Sequence, residues 1–474
     1  MGEGVLTSLL STGLRKYFRY SAVTAMAVAL AVLPVGSGAW AGKGGAQGGN
    51  NQGNNQGGGQ GGDNQGNDGG GAVRLLQTVS IPGTKANTTG GNMYVFDISF
   101  VDPSTQTYYL ADRSNAVVDV VDATKGILAG QIAATPPFRG FLPCSPPAGA
   151  NDCAGPNGVV AAFPWLFVTD AGSRVVTIDL RSGATVADVS TGGASGLRAD
   201  ELAYNGTVLL VVNNADTPPF ATLISVNKST GALTVGKRIT LDAAHGVDAT
   251  NGAEQPAWDP GTGKFYLSIP QIGASVKDGG VVRIDPGTGV VDKVFPVELC
   301  GPAGLSRGPG EEFLIGCNTV FDTAGNVWNP TGTVTAAPKD VILNVTTGST
   351  TDVPGAGAGD EVWFNKGDGK YYATGSGSPL RPTSPPPLTA QGATALAVID
   401  AESHNLVQLV PTFNVPAVTG GSNPHPAGTS HSVAANAQNN FVFVPLPANN
   451  VFPGCLTGCI AVYGRPSEQD NQGD

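Results

Sequence analysis

From about residue 75 onward the chain alternates short apolar runs with turns rich in Asp, Asn, Pro and Gly, and one unit recurs. The unit is a short apolar strand, a turn, a strand with aromatics, a loop, an alternating strand ending in a turn such as D-x-x-x-G, and a last strand. Its clearest copy is DISFVDPSTQTYYLADRSNAVVDVVDATKGILAGQI, Asp97 to Ile132. Three good copies begin at Gly158, Glu201 and Gln255, and three looser ones follow Leu305, Glu361 and His431, which makes seven. Short strands at this spacing, separated by turns and repeated along the chain, predict a sandwich or a propeller.

The two ends of the repeat decide between them. The seventh copy stops after its third strand, near Arg465, while the series is preceded by an unpaired strand, LLQTVSIPG from Leu75. A ring in which the strand Leu75 to Ile81 pairs with Cys459 to Tyr463 explains both ends and hides strand edges that would otherwise template aggregation. The expected fold class is therefore all-β, a seven-bladed β-propeller closed by an N-terminal strand. Six or eight blades follow if one loose copy is miscounted.

Residues ahead of the repeat read differently. Arg15, Lys16 and Arg19 precede the apolar run SAVTAMAVALAVLPV, and Ala39-Trp40-Ala41 is a small-x-small cleavage site, so residues 1–41 are expected to be a secretory signal peptide. Pro34 and Gly36 break the run where a spanning helix would need to continue, so no membrane span is expected in the mature chain. Residues 42–72 are Gly, Asn and Gln with little that could be buried, and predict a disordered linker. The propeller is assigned to 73–466 and a disordered tail to 467–474.

Composition narrows the partners. The chain carries −11, and the leader accounts for +2 of it, through three basic residues less Glu3, leaving the mature part near −13. That charge argues against nucleic acid or anionic membrane as partners. Charged residues are 13% of the chain, against about 25% in ordinary domains, and glycine is 69 of 474, which suits a turn-rich β protein outside the cytoplasm. Six cysteines remain after cleavage, close together in pairs: Cys144 with Cys153, Cys300 with Cys317, Cys455 with Cys459. In an exported chain these are expected to be disulfides, since they lack paired C-x-x-C spacing and have no histidine within a few residues. Periplasmic, cell-surface or extracellular location follows.

The stretch VDPSTQTYYLADRSNAVVDVVDATKG resembles the YVTN-type repeat of lactonase-like β-propellers, over a frame of roughly residues 75–465. The resemblance implies the architecture more than an activity, since such folds carry both binding proteins and enzymes. Locally, Glu254-Gln-Pro-Ala-Trp258 is similar to the E-x-P-x-W start of gluconolactonase-like hydrolases, where the glutamate is a metal ligand, a role that Glu254 would inherit.

In a propeller of this kind the loops entering the inner strands and those leaving the second strands open on one face, around the channel. Asp97, Asn157, Asp200, Glu201, Glu254, Gln255, Asp360, Glu361 and His431 are expected at the first set of positions. Asp112, Arg113, Asp170, Asn213, Asn214, Gln271 and Asn318 are expected at the second. The pattern D-E-[LV]-[AW]-[YF]-N occurs twice, at Asp200 to Asn205 and Asp360 to Asn365. Such a ring is an oxygen-rich site for a divalent cation, calcium or zinc, with Glu201, Glu254 and Glu361 as candidate metal ligands and His431 as candidate base. Asp97, Arg113, Asn157, Asp200, Asn214, Asn318 and Asp360 are candidate ligand-binding residues. Acids at strand ends also cap turns, and that reading stands beside the metal one. Long Pro- and Gly-rich loops at 134–156, 319–338, 376–393 and 411–430 gather on this face.

Two function classes follow. One is an exported binding or interaction protein that holds an unknown small molecule, peptide or protein on the looped face, with a divalent cation as the one cofactor considered. The other is a metal-dependent lactonase or esterase-type hydrolase. No nucleophile elbow, phosphate loop, dinucleotide fingerprint or C-x-x-C-H is present.

Overall fold

The computed structural model describes residues 71–142, 144, 149, 151–194, 196–328, 336–357, 359–375 and 392–465. The predicted leader, nearly all of the linker, the tail, and most of the loop at 376–393 lie outside them. The described chain is all-β but for one short 3-10 turn, Ala243–His245. Seven four-stranded antiparallel sheets follow one another as blades of a propeller, I to VII in chain order.

Blade I shows how the repeat folds. Its strands Ser99–Asp102, Thr107–Asp112, Val117–Asp122 and Ile127–Ile132 pair in sequence order. The second strands are buried along nearly their whole length, as in WLFVTD of blade II, because neighbouring blades cover both of their faces. The fourth strands meet a blade on one face and solvent on the other, so ATVADVS of blade II alternates exposed and half-buried.

The turn from third to fourth strand repeats in chemistry as well as place. Asp122 Oδ1 accepts the Thr124 N–H at 2.9 Å and Gly126 sits at φ 64°, and Asp179 with Gly183, Asn227 with Gly231, Asp285 with Gly289 and Asn344 with Gly348 do the same. The acid or amide makes an Asx turn, and the fourth residue after it needs the left-handed region that glycine enters without steric cost. In blade VI the pair is Asp400 with His404, whose φ is 58° and whose Nε2 lies 2.9 Å from Glu312 Oε2.

Blade VII contains Ala434–Asn436, Phe441–Leu446, Cys459–Gly464 and, as its outermost strand, Arg74–Ser80. Leu75 pairs with Tyr463 and Ser80 with Cys459, so the expected closure by the N-terminal strand is what the ring uses. Both neighbours hold that strand. Gln408 of blade VI brackets Val73, accepting its N–H at 3.0 Å and donating to its carbonyl at 2.8 Å, and Gln77 donates to the Lys125 carbonyl of blade I at 2.8 Å. The three expected disulfides are present, with Cα separations of 5.3 Å for Cys144 and Cys153, 5.2 Å for Cys300 and Cys317, and 4.8 Å for Cys455 and Cys459. Among the described residues no helix is long and apolar enough to cross a membrane.

Candidate functional site

At one end of the ring the inner strands bond to one another from blade to blade. Ile98 N–H donates to the Asn157 carbonyl at 3.2 Å, Gly158 to Asp200 at 3.1 Å, Gln255 to Ala303 at 3.3 Å and Glu361 to His431 at 3.1 Å. Thr374 Oγ1 also donates to the His431 carbonyl, at 2.6 Å, and Ser432 Oγ meets Ser99 Oγ at 2.9 Å, joining blade VII to blade I. Each of these backbone steps sets the side chain beside it at the channel mouth. That is how Asp97, Asn157, Asp200, Glu201, Glu254, Asp360, Glu361 and His431 come together from six blades. Blade V contributes Ala303 and Gly304 there, and a Cβ at Gly304 would stand 2.7 Å from the Asp360 carbonyl oxygen.

The mouth divides into two halves by charge. On one side Arg113, 1% exposed, is ion-paired to Asp97, donates from Nε to Asn157 Oδ1 at 2.8 Å and lies 3.8 Å from Asp200. Arg198 completes that half, 2.9 Å from Asp200 and 3.7 Å from Asp97. Its position in the loop ahead of the inner strand is not one the repeat marks, and it was not among the expected residues. His431 Nε2 stands 3.3 Å from Asp97 Oδ1, and its ring stacks on Phe96 with centroids 5.3 Å apart. Burial alone would push the Asp97 carboxyl up, but Arg113, the His431 hydrogen bond and Arg198 hold it down at about 2. Burial raises Asp200 to about 7, against the pull of Arg198 and Arg113. His431 goes up, because the Asp97 hydrogen bond and the Asp360 charge outweigh its burial.

On the other side stand Glu201, Glu254 and Glu361, and none of the ion pairs among the described residues involves them. Burial raises all three well above the usual carboxylate range. The charge of Glu361 adds to it at Glu201, that of Asp200 at Glu254, and that of Asp360 at Glu361. Glu361 accepts from Gln255 Nε2 at 2.7 Å, while Gln255 Oε1 accepts the Leu305 N–H at 2.6 Å. Gln255 thus reaches from blade IV across blade V to blade VI, through space that Ala303 and Gly304 leave open. Glu201 is 7% exposed and its Oε2 is buried without a hydrogen-bond partner. Glu254, Gln255 and Asp360 are half-buried, so solvent reaches this half. Asn318 donates to Asp360 Oδ1 at 3.2 Å. Asn214 lies against Gly252, whose added Cβ would stand 3.8 Å from the Asn214 Cβ and 3.7 Å from Glu254 Oε1.

Most positions after the second strands do structural work instead. Asp112 accepts the Asn115 N–H at 3.0 Å and its amide at 2.6 Å, Asp170 accepts the Arg139 N–H at 3.2 Å and pairs with Arg174, Asn213 accepts from Thr191, and Gln271 donates to Gly273. The doubled D-E-…-N pattern is one inner strand read end to end. Its acids sit at the mouth, and its last residue, Asn205 or Asn365, makes the turn at the far end by accepting the Val208 N–H at 2.7 Å or the Gly367 N–H at 3.2 Å. Among the described residues no three His, Cys, Asp or Glu side chains are arranged to hold a metal ion. A cavity of about 590 Å³ lies away from the mouth, between far-end turns of blades I and II near Gln106, Asp122, Phe163 and Leu180.

No protein-family model matches the sequence, and a search of curated proteins finds no match. Solved structures share the architecture. A chain of hydrazine synthase from Kuenenia stuttgartiensis is 14% identical with a TM-score of 0.52, over 82% of this chain and 99% of that one. A chain of a mitotic checkpoint complex is 11% identical with a TM-score of 0.51, over 86% of this chain and 97% of that one. At these identities the likeness shows the fold, a seven-bladed β-propeller.

Proposed function

We propose that the protein is an exported binding propeller whose channel mouth, on the looped face, takes a positively charged ligand. The observation that carries this reading is the uneven neutralisation of the mouth: Arg113 and Arg198 serve Asp97 and Asp200, and among the described residues no side-chain cation forms an ion pair with Glu201, Glu254 or Glu361, Arg198 reaching Glu254 only through its charge. Buried carboxylates without a counter-charge must stay protonated or attract a cation. Three disulfides support the exported location, since such bonds persist in oxidising compartments. The YVTN-type resemblance supports the lactonase-like family within the fold. The hydrolase reading has Glu254 alone in its favour, so binding is preferred.

A cation that suits this half, organic or divalent, should raise the melting temperature of the wild-type protein, by an amount set by ligand concentration over dissociation constant. The Glu201→Gln/Glu361→Gln double variant should lose the shift and be as stable without ligand as the wild type, or more so. A wild-type melting curve indifferent to metals, chelators and organic cations alike would reduce the acids to turn caps.

A further inference from the structure

We infer that the ligand completing the mouth is a primary alkylammonium group, of the kind a lysine side chain presents, held between Glu201, Glu254 and Glu361. This rests on the reading of the mouth as a cation site and names the cation. The mouth already holds two organic cations of its own, the guanidinium groups of Arg113 and Arg198, each lodged against buried aspartates. The glutamate half repeats that arrangement of buried acids, but among the described residues no ion pair reaches it, and Arg198 acts on Glu254 only through its charge. Glu201 Oε2, buried and without a hydrogen-bond partner, is an acceptor that no group among the described residues serves.

Geometry selects among cations. Calcium needs six to eight oxygens at about 2.3 to 2.6 Å, and no three acidic or histidine side chains among the described residues are arranged for a metal. The three glutamates come from blades III, IV and VI, and one oxygen of Glu361 is already engaged by Gln255. An ammonium has three donors on a compact centre, makes charge-assisted bonds at longer distances of about 2.7 to 2.9 Å, and can serve three separated carboxylates. The half-buried Glu254 and Gln255 leave a path from the looped face for a flexible alkyl stem.

The test is isothermal titration of the full mature chain with four probes: Nα-acetyl-lysine methylamide, its uncharged isostere Nα-acetyl-norleucine methylamide, 1,5-diaminopentane and calcium chloride. The lysine derivative or the diamine should bind saturably, the norleucine derivative should not, and Glu201→Gln should weaken binding at least tenfold. A Glu298→Gln control, on an outer strand, should bind like the wild type, and circular dichroism should show both variants folded. Binding of the lysine derivative points to a protein or peptide ligand, and binding of the diamine alone to a free amine. Both support the inference. Binding of calcium but neither amine overturns it and leaves the cation-site reading standing, whereas no binding by any probe overturns both.

Discussion

Gln255 Nε2 lies 2.7 Å from Glu361 Oε2, joining blades IV and VI across the mouth over a blade V whose inner strand offers only the small Ala303 and Gly304 there. The same side chain receives the Leu305 N–H. Replacing Gln255 with alanine leaves both partners short of a bond. We expect a loss of about 1 to 3 kcal/mol, the cost of unsatisfied buried groups, read by urea unfolding at neutral pH. Unchanged stability would mean that water replaces the amide at no cost.

Arg113 is the most buried cation of the mouth, and removing it leaves Asp97 and Asp200 to Arg198 and His431 alone. Arg113→Met should destabilise by about 3 to 5 kcal/mol, the range for breaking a buried pair by one partner. Adding Asp97→Asn should recover part of that loss. A double-mutant cycle measures the coupling, and simple additivity would contradict the pairing.

The pH dependence follows from the direction of the shifts. Glu201, Glu254 and Glu361 are raised, Asp200 and Asp340 are raised by burial to about 7, and Asp112 and Asp170 by burial to about 6. Groups whose folded-state pKa is raised bind protons more tightly when folded, so their contribution is lost as pH rises above about 4 toward those values. Raised His431 has the same sign. Asp97, held at about 2, has the opposite one, and its contribution is lost as pH falls toward that value. Without ligand, the melting temperature should be higher at about pH 5 than at about pH 8, and the Glu201→Gln/Glu361→Gln variant should flatten the difference. An equal or higher wild-type value at the alkaline end would contradict the assignment.

Gly183 isolates the turn chemistry, since its φ is 72° and an added Cβ would meet nothing within 4 Å. Gly183→Ala should cost about 1 to 2 kcal/mol from the backbone alone. The same substitution in the extended outer strand, Gly236→Ala, meets the Leu223 carbonyl at 2.8 Å and tests crowding instead. Thermal melting of both separates the two causes.

Ring closure is tested at Gln408, whose amide holds both polar groups of Val73. Gln408→Ala should lose about 1 kcal/mol for each bond. Removing residues 73–83 should leave an open edge and a poorly soluble or uncooperative domain. Native-like melting after that truncation would rule out closure by the N-terminal strand.

The ring was legible in the sequence because each blade carries its own punctuation. Asp122 to Gly126 and its relatives fix one turn, and the orphan strand at Leu75 and the short copy at His431 together demand closure. The entry positions were legible because the repeat puts them at equivalent places. What the repeat could not show is which acids are neutralised. Arg198 precedes its strand in a loop without repeat register, and only the assembled ring sets it against Asp200. The bridge by Gln255 depends on what blade V lacks, Asp112 turned to the local Asn115 N–H that any turn would offer, and Asp170 turned to the Arg139 N–H of a loop whose path the repeat does not fix.

The most direct test of the mouth as a cation site is proton release on binding. Wild-type protein is titrated with the lysine derivative and with calcium at about pH 6, in two buffers of different ionisation enthalpy, because groups with raised pKa values must give up protons when a cation replaces them. Saturable binding of at least one cation, with protons released to the buffer and both signals lost in Glu201→Gln/Glu361→Gln, is the predicted result. Absence of saturable binding, or equal binding by the double variant, would contradict it.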